Sequence, residues 1–250
     1  MRPRHLIACL LLSTAQPLLH AQDLAATCHA SSSYDLTVKP DSLVFDRPQP
    51  APFQVQLAAG SLRTDGRSVR LDAESQDRLA LFERELRALV PRVRAVADAG
   101  VDLAVRAMHD EAASMHLAPT TMDELDRRLA AHAAQLRRRI AQSNSTHDWQ
   151  GDLAQQYANR IGGDLVPLVA ADLGQQALAA AMGGDLDEAA RLRDQAADLA
   201  TQMQPRLQRR MQALRPQVQA LCPSIRRLAD LQQGVRDAAG RPLDLVQVGS

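Results

Sequence analysis

The pattern of apolar residues changes at Asp72. Residues 72–93 read DAESQDRLALFERELRALVPRV, and their large apolar residues recur at intervals of three and four. That spacing predicts an α-helix with one apolar stripe, formed by Leu79, Phe82, Leu86, Leu89 and Val93. Asp72 or Ser75 is the predicted N-cap. Pro91 lacks a backbone N–H, so we expect it to kink or split this helix.

The residues before Asp72 alternate with period two instead. Phe53, Val55 and Leu57 are separated by glutamines, and Tyr34, Leu36 and Val38 are separated by polar residues. Such alternation predicts strands with one buried face. Asp65-Gly66 suits a tight hairpin turn, because both central residues can adopt positive φ. Residues 22–72 are therefore predicted to form a small antiparallel β-meander.

The region from 73 to 240 is predicted to be helical. Thr121 and Glu124 have capping-box spacing after Pro119, and Gly183-Gly184 is predicted to end a helix that starts near Asp148. A last long helix, about 187–238, is expected in two or three pieces because it contains prolines, namely Pro205, Pro216 and Pro223. The tail, 241–250, alternates again from Leu243 to Val248 and could add a strand.

The fold class predicted from these patterns is α+β and mostly α. The small N-terminal meander is followed by long amphipathic helices rich in Ala and Leu, whose small side chains permit close helix approach. A compact bundle and extended helical hairpins both remain open. The oligomeric state is open as well.

Composition excludes several classes of protein. The chain has 250 residues, of which 46% are hydrophobic and only 2% aromatic. The apolar fraction argues against a disordered chain, and the low aromatic content argues against a β-sandwich. Lys plus Arg equals Asp plus Glu, 29 against 29, so no global charge favours nucleic acid as a partner.

The first 21 residues resemble a cleaved signal peptide. Arg2 and Arg4 precede an uncharged apolar run over 6–15, and Ala21 is a small residue at the expected cleavage position. These features predict export from the cytoplasm. No later segment is expected to span a membrane.

Two cysteines, Cys28 and Cys222, remain after cleavage at Ala21. An even count in an exported chain favours one disulfide, which would close a very long loop. Two free thiols or a metal site are the alternatives.

The order of these features resembles a known family. A cysteine is followed by a strand ending in Val38-Lys39-Pro40, then by GSLRTDG at 60–66, by ELRALVP at 85–91 and by a late cysteine. The chain is thus similar to the YggN-like family of Gram-negative envelope proteins, domain of unknown function 2884. The resemblance covers nearly all of the mature chain. It implies periplasmic location and fits the disulfide, and it supplies no catalytic residues.

One repeat could hold a metal ion. Met108-His109 recurs seven residues later as Met115-His116, and thioether sulfur suits Cu(I). However, seven residues on a helix separate the two pairs by about 10 Å, so core packing and surface positions are favoured. The acidic cluster after Gly183-Gly184, namely Asp185, Asp187 and Glu188, is better explained by helix capping.

No nucleophile or phosphate-binding motif is present in the sequence. The sequence therefore favours a non-enzymatic, chaperone-like envelope protein that binds partner proteins or an amphipathic ligand and needs no cofactor. A periplasmic small-molecule or metal-binding protein is the first alternative, and an unrecognised hydrolase is the second. The hydrolase hypothesis predicts a buried carboxylate or histidine with a shifted pKa lining a cleft.

Overall fold

The computed structural model describes residues 27–149 and 153–249. The predicted signal peptide, residues 1–21, lies outside them. The strands are β1 (Ala30–Ser31), β2 (Asp35–Val38), β3 (Leu43–Asp46), β4 (Gln54–Ala58), β5 (Ser61–Thr64), β6 (Arg67–Val69) and β7 (Gln247–Val248). The helices are α1 (Ala73–Ala113), α2 (Pro119–Gln142), α3 (Leu153–Met182), α4 (Leu186–Met211), α5 (Arg215–Gln219) and α6 (Cys222–Gln232). The predicted fold class, mostly helical α+β with a small N-terminal antiparallel sheet, is confirmed.

The N-terminal sheet is a five-stranded antiparallel meander in the order β2-β3-β4-β5-β6. The predicted alternation holds from Gln54 onward, since Val55 and Leu57 are fully buried and Gln54 is exposed. It is wrong for Phe53, which precedes β4 and is 52% exposed. The predicted hairpin turn is present between Thr64 and Arg67, which pair. Its two central residues have φ of +49° and +77°, the left-handed conformation that Asp-Gly accommodates.

The first hydrophobic core lies between the meander and two helices. Leu79, Phe82 and Leu86 of α1 pack against the buried face of the sheet and against Leu228 of α6. Leu243 and Leu245 of the C-terminal tail complete this core. Strand β7 pairs with β1, Val248 opposite Ala30, so the predicted C-terminal strand is present although short.

Helix α1 links this core to a second one. It begins at the predicted cap, because Oδ1 of Asp72 accepts the backbone N–H of Ser75 at 2.7 Å. It then runs for 41 residues, about 60 Å at 1.5 Å per residue. Of the two predicted effects of Pro91, a kink or a split, the split is wrong, since α1 continues through this residue. The missing N–H removes one backbone hydrogen bond, and packing on either side keeps the helix intact.

The second core is formed by helices and by the turn between α1 and α2. Ala112 of α1 and Met115 of the following turn pack with Leu125 and Leu129 of α2. Helices α3 and α4 form the opposite side of this core. Their buried side chains are Leu165, Val169, Leu173, Leu192 and Leu199.

The prolines of the C-terminal region have different effects. Pro216 and Pro223 lie in the first turns of α5 and α6, where a missing N–H costs nothing. The predicted interruption at Pro205 is wrong, because this residue lies inside α4. The loss of one hydrogen bond there is outweighed by the packing of α4 against α3.

Cys28 and Cys222 lie at disulfide distance, with 2.02 Å between their sulfur atoms. This agrees with the pairing predicted from the cysteine count. The bond joins the residues before β1 to the first turn of α6. The second core and its helices lie within the loop that this disulfide closes.

Candidate functional site

Helices α3 and α4 form a hairpin with a well-defined turn. The N–H of Asp185 donates to the carbonyl of Ala180 at 2.9 Å, and the N–H of Gly184 donates to that of Ala181 at 3.1 Å. This pair of bonds is a Schellman motif, which requires a residue with positive φ. Gly184 supplies it with φ of +87°. The next helix starts at once, because Asp185 caps it by accepting the N–H of Glu188 at 3.0 Å.

A buried carboxylate joins the hairpin to the α1–α2 turn. Asp172 of α3 accepts the N–H of Ala118 at 3.1 Å and the hydroxyl of Thr121 at 2.9 Å. It also accepts from Nε2 of Gln176 at 2.7 Å, and the same amide contacts the carbonyl of His116 at 3.3 Å. Asp172 thus caps the N-terminus of α2 from another helix. The capping box predicted for Thr121 and Glu124 is therefore wrong.

A second polar contact lies further along the same two helices. Asp164 of α3 accepts from Nη1 of Arg128 at 2.7 Å and lies 2.8 Å from Nε2 of His132. The hydrogen bond with His132, followed by the charge of Arg128, lowers the pKa of Asp164. Glu124 pairs with Arg127 and Arg128 instead of closing a capping box. The contacts of Asp164 with Arg128 and His132, together with the hydrogen bonds of Asp172, set the orientation of α3 relative to α2.

Beyond Gln176 the hairpin continues to its turn. We call residues 177–190 the hairpin tip; Met182 lies about 9 Å along the helix from Gln176. The tip carries Leu178, Met182 and Leu186, which are 63%, 81% and 69% exposed. These are the three most exposed large apolar side chains among the described residues. Leu178 and Met182 are four residues apart, so they lie on one face of α3.

Helix α3 lacks a continuous polar face. By length and composition alone, its residues Gln156–Met182 could cross a membrane, with a mean hydropathy of 1.3. This is weak evidence for a membrane span, because core helices of soluble proteins meet the same criterion. Leu165, Val169 and Leu173 are indeed buried in the second core. No segment after the predicted signal peptide was expected to span a membrane, and α3 is the one described helix that is long and apolar enough to do so.

The hairpin tip is also acidic. Residues 177–190 include Asp185, Asp187 and Glu188 and contain no Lys, Arg or His. Asp185 is the helix cap, and Glu188 accepts from Nε of Arg191 at 2.7 Å, which lowers the pKa of Glu188. The capping explanation of this cluster thus accounts for Asp185. Asp187 has neither a hydrogen bond nor an ion pair within the described part of the chain.

The four predicted metal candidates fall in different environments. Met108 and Met115 line one small apolar depression in the second core. His109 is exposed, and its Nδ1 lies 2.7 Å from a carboxylate oxygen of Asp126. That hydrogen bond, followed by the Asp126 charge, raises the pKa of His109. His116 is exposed in the turn after α1, so the seven-residue helical repeat does not hold, because α1 ends at Ala113.

Metal binding at these four residues stays the untested alternative to core packing and surface positions. Within residues 27–149 and 153–249, no three His, Cys, Asp or Glu side chains are grouped so as to hold a metal ion. The two methionines share a cavity, whereas His109 is engaged with a carboxylate.

Two buried carboxylates bear on the hydrolase hypothesis. Asp172 and Asp237 are 8% and 4% exposed. Asp237 accepts the backbone N–H groups of Ala239 and Arg241 and also pairs with the Arg241 guanidinium. Burial by itself would raise the pKa of Asp237, but these hydrogen bonds outweigh it and lower the pKa. Both carboxylates act as structural acceptors in the described chain.

Together the fold and the site define a mostly helical α+β protein whose most distinctive surface is an apolar hairpin tip. Comparison with known families gives a match over residues 28–246 to the family described as protein of unknown function (DUF2884). The chain belongs to this family. No curated protein and no solved structure matches it.

Sequence reasoning identified the turn of the hairpin but not its exposed tip. Gly183-Gly184 predicted a helix end, but the sequence does not show which apolar residues of α3 are covered by α1 and α2. One feature does indicate exposed apolar residues: residues 173–182, LGQQALAAAM, contain no charge on any helical face. A helix that packs on one side only must then expose apolar residues on another.

Proposed function

We propose that this protein is a non-enzymatic, chaperone-like protein of the cell envelope that holds apolar segments of other proteins on its hairpin tip. The observation that carries this proposal is the exposure of Leu178, Met182 and Leu186 at the turn of the α3–α4 hairpin. Covering side chains exposed to this extent releases about 1–2 kcal/mol each. Three of them contribute about 3–6 kcal/mol. Because association itself costs several kcal/mol, holding at the tip is expected to be weak and reversible.

The geometry of the hairpin supports this role. The Schellman turn and the Asp185 cap define the backbone of the tip, so its ordering entropy is already lost before a partner binds. Met182, the most exposed of the three, has a flexible and polarisable side chain that adapts to different partner surfaces. A tip of this kind suits unfolded clients that share apolar character rather than one sequence.

Export is the second part of the proposal. It is supported by the charged, apolar and small-residue regions of residues 1–21 and by the Cys28–Cys222 pair, since disulfides persist in oxidising compartments. The full chain expressed in a Gram-negative host should appear in the periplasmic fraction with a new N-terminus near Gln22. Replacing Leu11 and Leu12 with arginine should leave it unprocessed inside the cell. A wild-type protein that stays unprocessed would contradict this part.

The holding activity is tested by light scattering of thermally unfolded citrate synthase. Wild-type protein should suppress the scattering, and the triple variant Leu178→Gln/Met182→Gln/Leu186→Gln should lose most of that suppression. Glutamine is a good helix former, and these side chains make few packing contacts, so circular dichroism should show an unchanged melting temperature.

The matched control removes exposed apolar side chains elsewhere. Phe53 and Val93 are 52% and 38% exposed and lie outside the hairpin tip. The double variant Phe53→Gln/Val93→Gln should suppress scattering as well as the wild type. If the triple variant retains full suppression, or if the wild type has none, the proposed function is wrong.

A further inference from the structure

The hairpin tip has a charge that restricts which apolar segments it can hold. Its fourteen residues contain three acids and no base, although the whole chain has as many basic as acidic residues. Only Glu188 is neutralised nearby, by Arg191. Asp187 is next to Leu186 in sequence, is exposed, and is unpaired in the part of the chain that the structure describes. The apolar contact surface is therefore bordered by net negative charge.

From this juxtaposition we propose that the tip selects polypeptide segments in which apolar residues are flanked by Lys or Arg. This inference rests on the proposed function and names its substrate class. A cationic flank meets Asp187 and Asp185 while the apolar residues cover Leu178, Met182 and Leu186. An acidic flank meets like charge at the same place, which lowers affinity and slows association.

The same charge argues against two other partners. Anionic lipid headgroups attract basic segments, and residues 177–190 contain no basic residue to meet them. Nucleic acid binding likewise depends on Lys and Arg contacts to phosphate. A polypeptide is the occupant whose charge complements the tip.

Binding of two fluorescein-labelled peptides tests the inference by fluorescence anisotropy. Both carry the same Leu and Ala core; one has Lys at the two flanks, and the other has Glu. At low ionic strength the Lys peptide should bind about three- to tenfold more tightly, the difference that a few exposed ion pairs provide. The preference should shrink at high salt, because exposed charges are screened.

Variants of Asp187 locate the effect. Asp187→Asn should reduce the preference for the Lys peptide. Asp187→Lys should abolish it, because the new positive charge offsets Asp185 while Glu188 stays paired with Arg191. Asp185 still caps the helix in both variants. Asp77→Lys is the control, since Asp77 is an exposed acid near the start of α1, beside the first core. It should keep the wild-type preference.

The outcomes separate the inference from the function on which it rests. Equal affinity for the two peptides, with loss of both in the triple glutamine variant, overturns the charge preference and leaves the holding function standing. No binding of either peptide overturns both. Binding to phosphatidylcholine vesicles with no binding of the Lys peptide would make the tip a membrane contact and would also overturn the inference. A Lys preference that Asp187→Lys abolishes supports it.

Discussion

Replacing Asp172 with alanine should weaken the joint between the hairpin and the second core. Asp172 is 8% exposed and accepts three hydrogen bonds, from Ala118, Thr121 and Gln176. Two of these donors belong to the start of α2, whose own N-cap residue, Ala118, has no side-chain acceptor. The substitution therefore removes the cap of one helix and a tertiary contact of another at once.

The magnitude follows from those contacts. Loss of an N-cap costs about 0.5–2 kcal/mol, and a hydrogen bond to a charged group contributes about 1.5–3 kcal/mol. Because the bonds share one carboxylate, their contributions do not add fully. We expect Asp172→Ala to lower the free energy of unfolding by about 2–4 kcal/mol. Asp172→Asn keeps one acceptor oxygen and should lose less.

Urea unfolding followed by circular dichroism measures the change. With an m-value of about 2–3 kcal/mol/M for a chain of this size, the midpoint should fall by about 1 M. Asp194→Ala, at an exposed position on α4, is the control and should stay within about 0.5 kcal/mol of the wild type. A loss below about 0.5 kcal/mol for Asp172→Ala, or an equal loss for Asp172→Asn, would refute the cross-helix cap.

Three further changes have predictable signs. The hydroxyl of Tyr34 is buried without a hydrogen-bond partner among the described residues, so Tyr34→Phe should leave stability unchanged or raise it by about 1 kcal/mol in urea unfolding. Because the pKa of Asp237 is lowered, its contribution is present above the unfolded-state pKa and is lost as pH falls through the folded-state pKa. Asp237→Asn should therefore flatten the acid limb of stability against pH. The pKa of His109 is raised by Asp126, so an NMR titration should give a pKa above the ordinary histidine value, and Asp126→Asn should lower it.

Each of these three predictions would be contradicted by a specific result. A clear destabilisation by Tyr34→Phe would show that the hydroxyl has a partner. An unchanged acid limb in Asp237→Asn would mean that the carboxylate is not preferentially ionised in the folded state. The contribution of His109 is present below its unfolded-state pKa and is lost as pH rises through its folded-state pKa. If the pKa of His109 is not raised in the folded protein, the contact with Asp126 makes no such contribution to stability.

Local patterns predicted the sheet end of the molecule well. The alternation around Val55, the cap at Asp72 and the turn at Asp65-Gly66 depend on residues close in sequence, and the structure contains all three. The cysteine pairing is long-range, yet the count of two leaves one intramolecular choice. In each case few alternatives competed with the predicted structure.

The helical end was harder to predict because its decisive contacts join distant residues. Thr121 and Glu124 fit a local capping box, but Thr121 donates to Asp172, fifty-one residues away. Pro91 suggested a break, although packing at both ends of α1 maintains one helix. The exposure of Leu178 depends on where the α1–α2 turn ends, which no pattern within α3 encodes.

The pairing of β1 with β7 has a consequence for chain topology. Ala30 and Val248 are direct neighbours, so a short linker could join the two ends of the described chain. New ends could then be opened between Gly183 and Gly184, where an added Cβ at Gly184 would meet open space. Such a circular permutant keeps both cores and the disulfide but severs the hairpin at its turn. Its behaviour would show whether the apolar surface needs a continuous backbone or only two helix ends side by side.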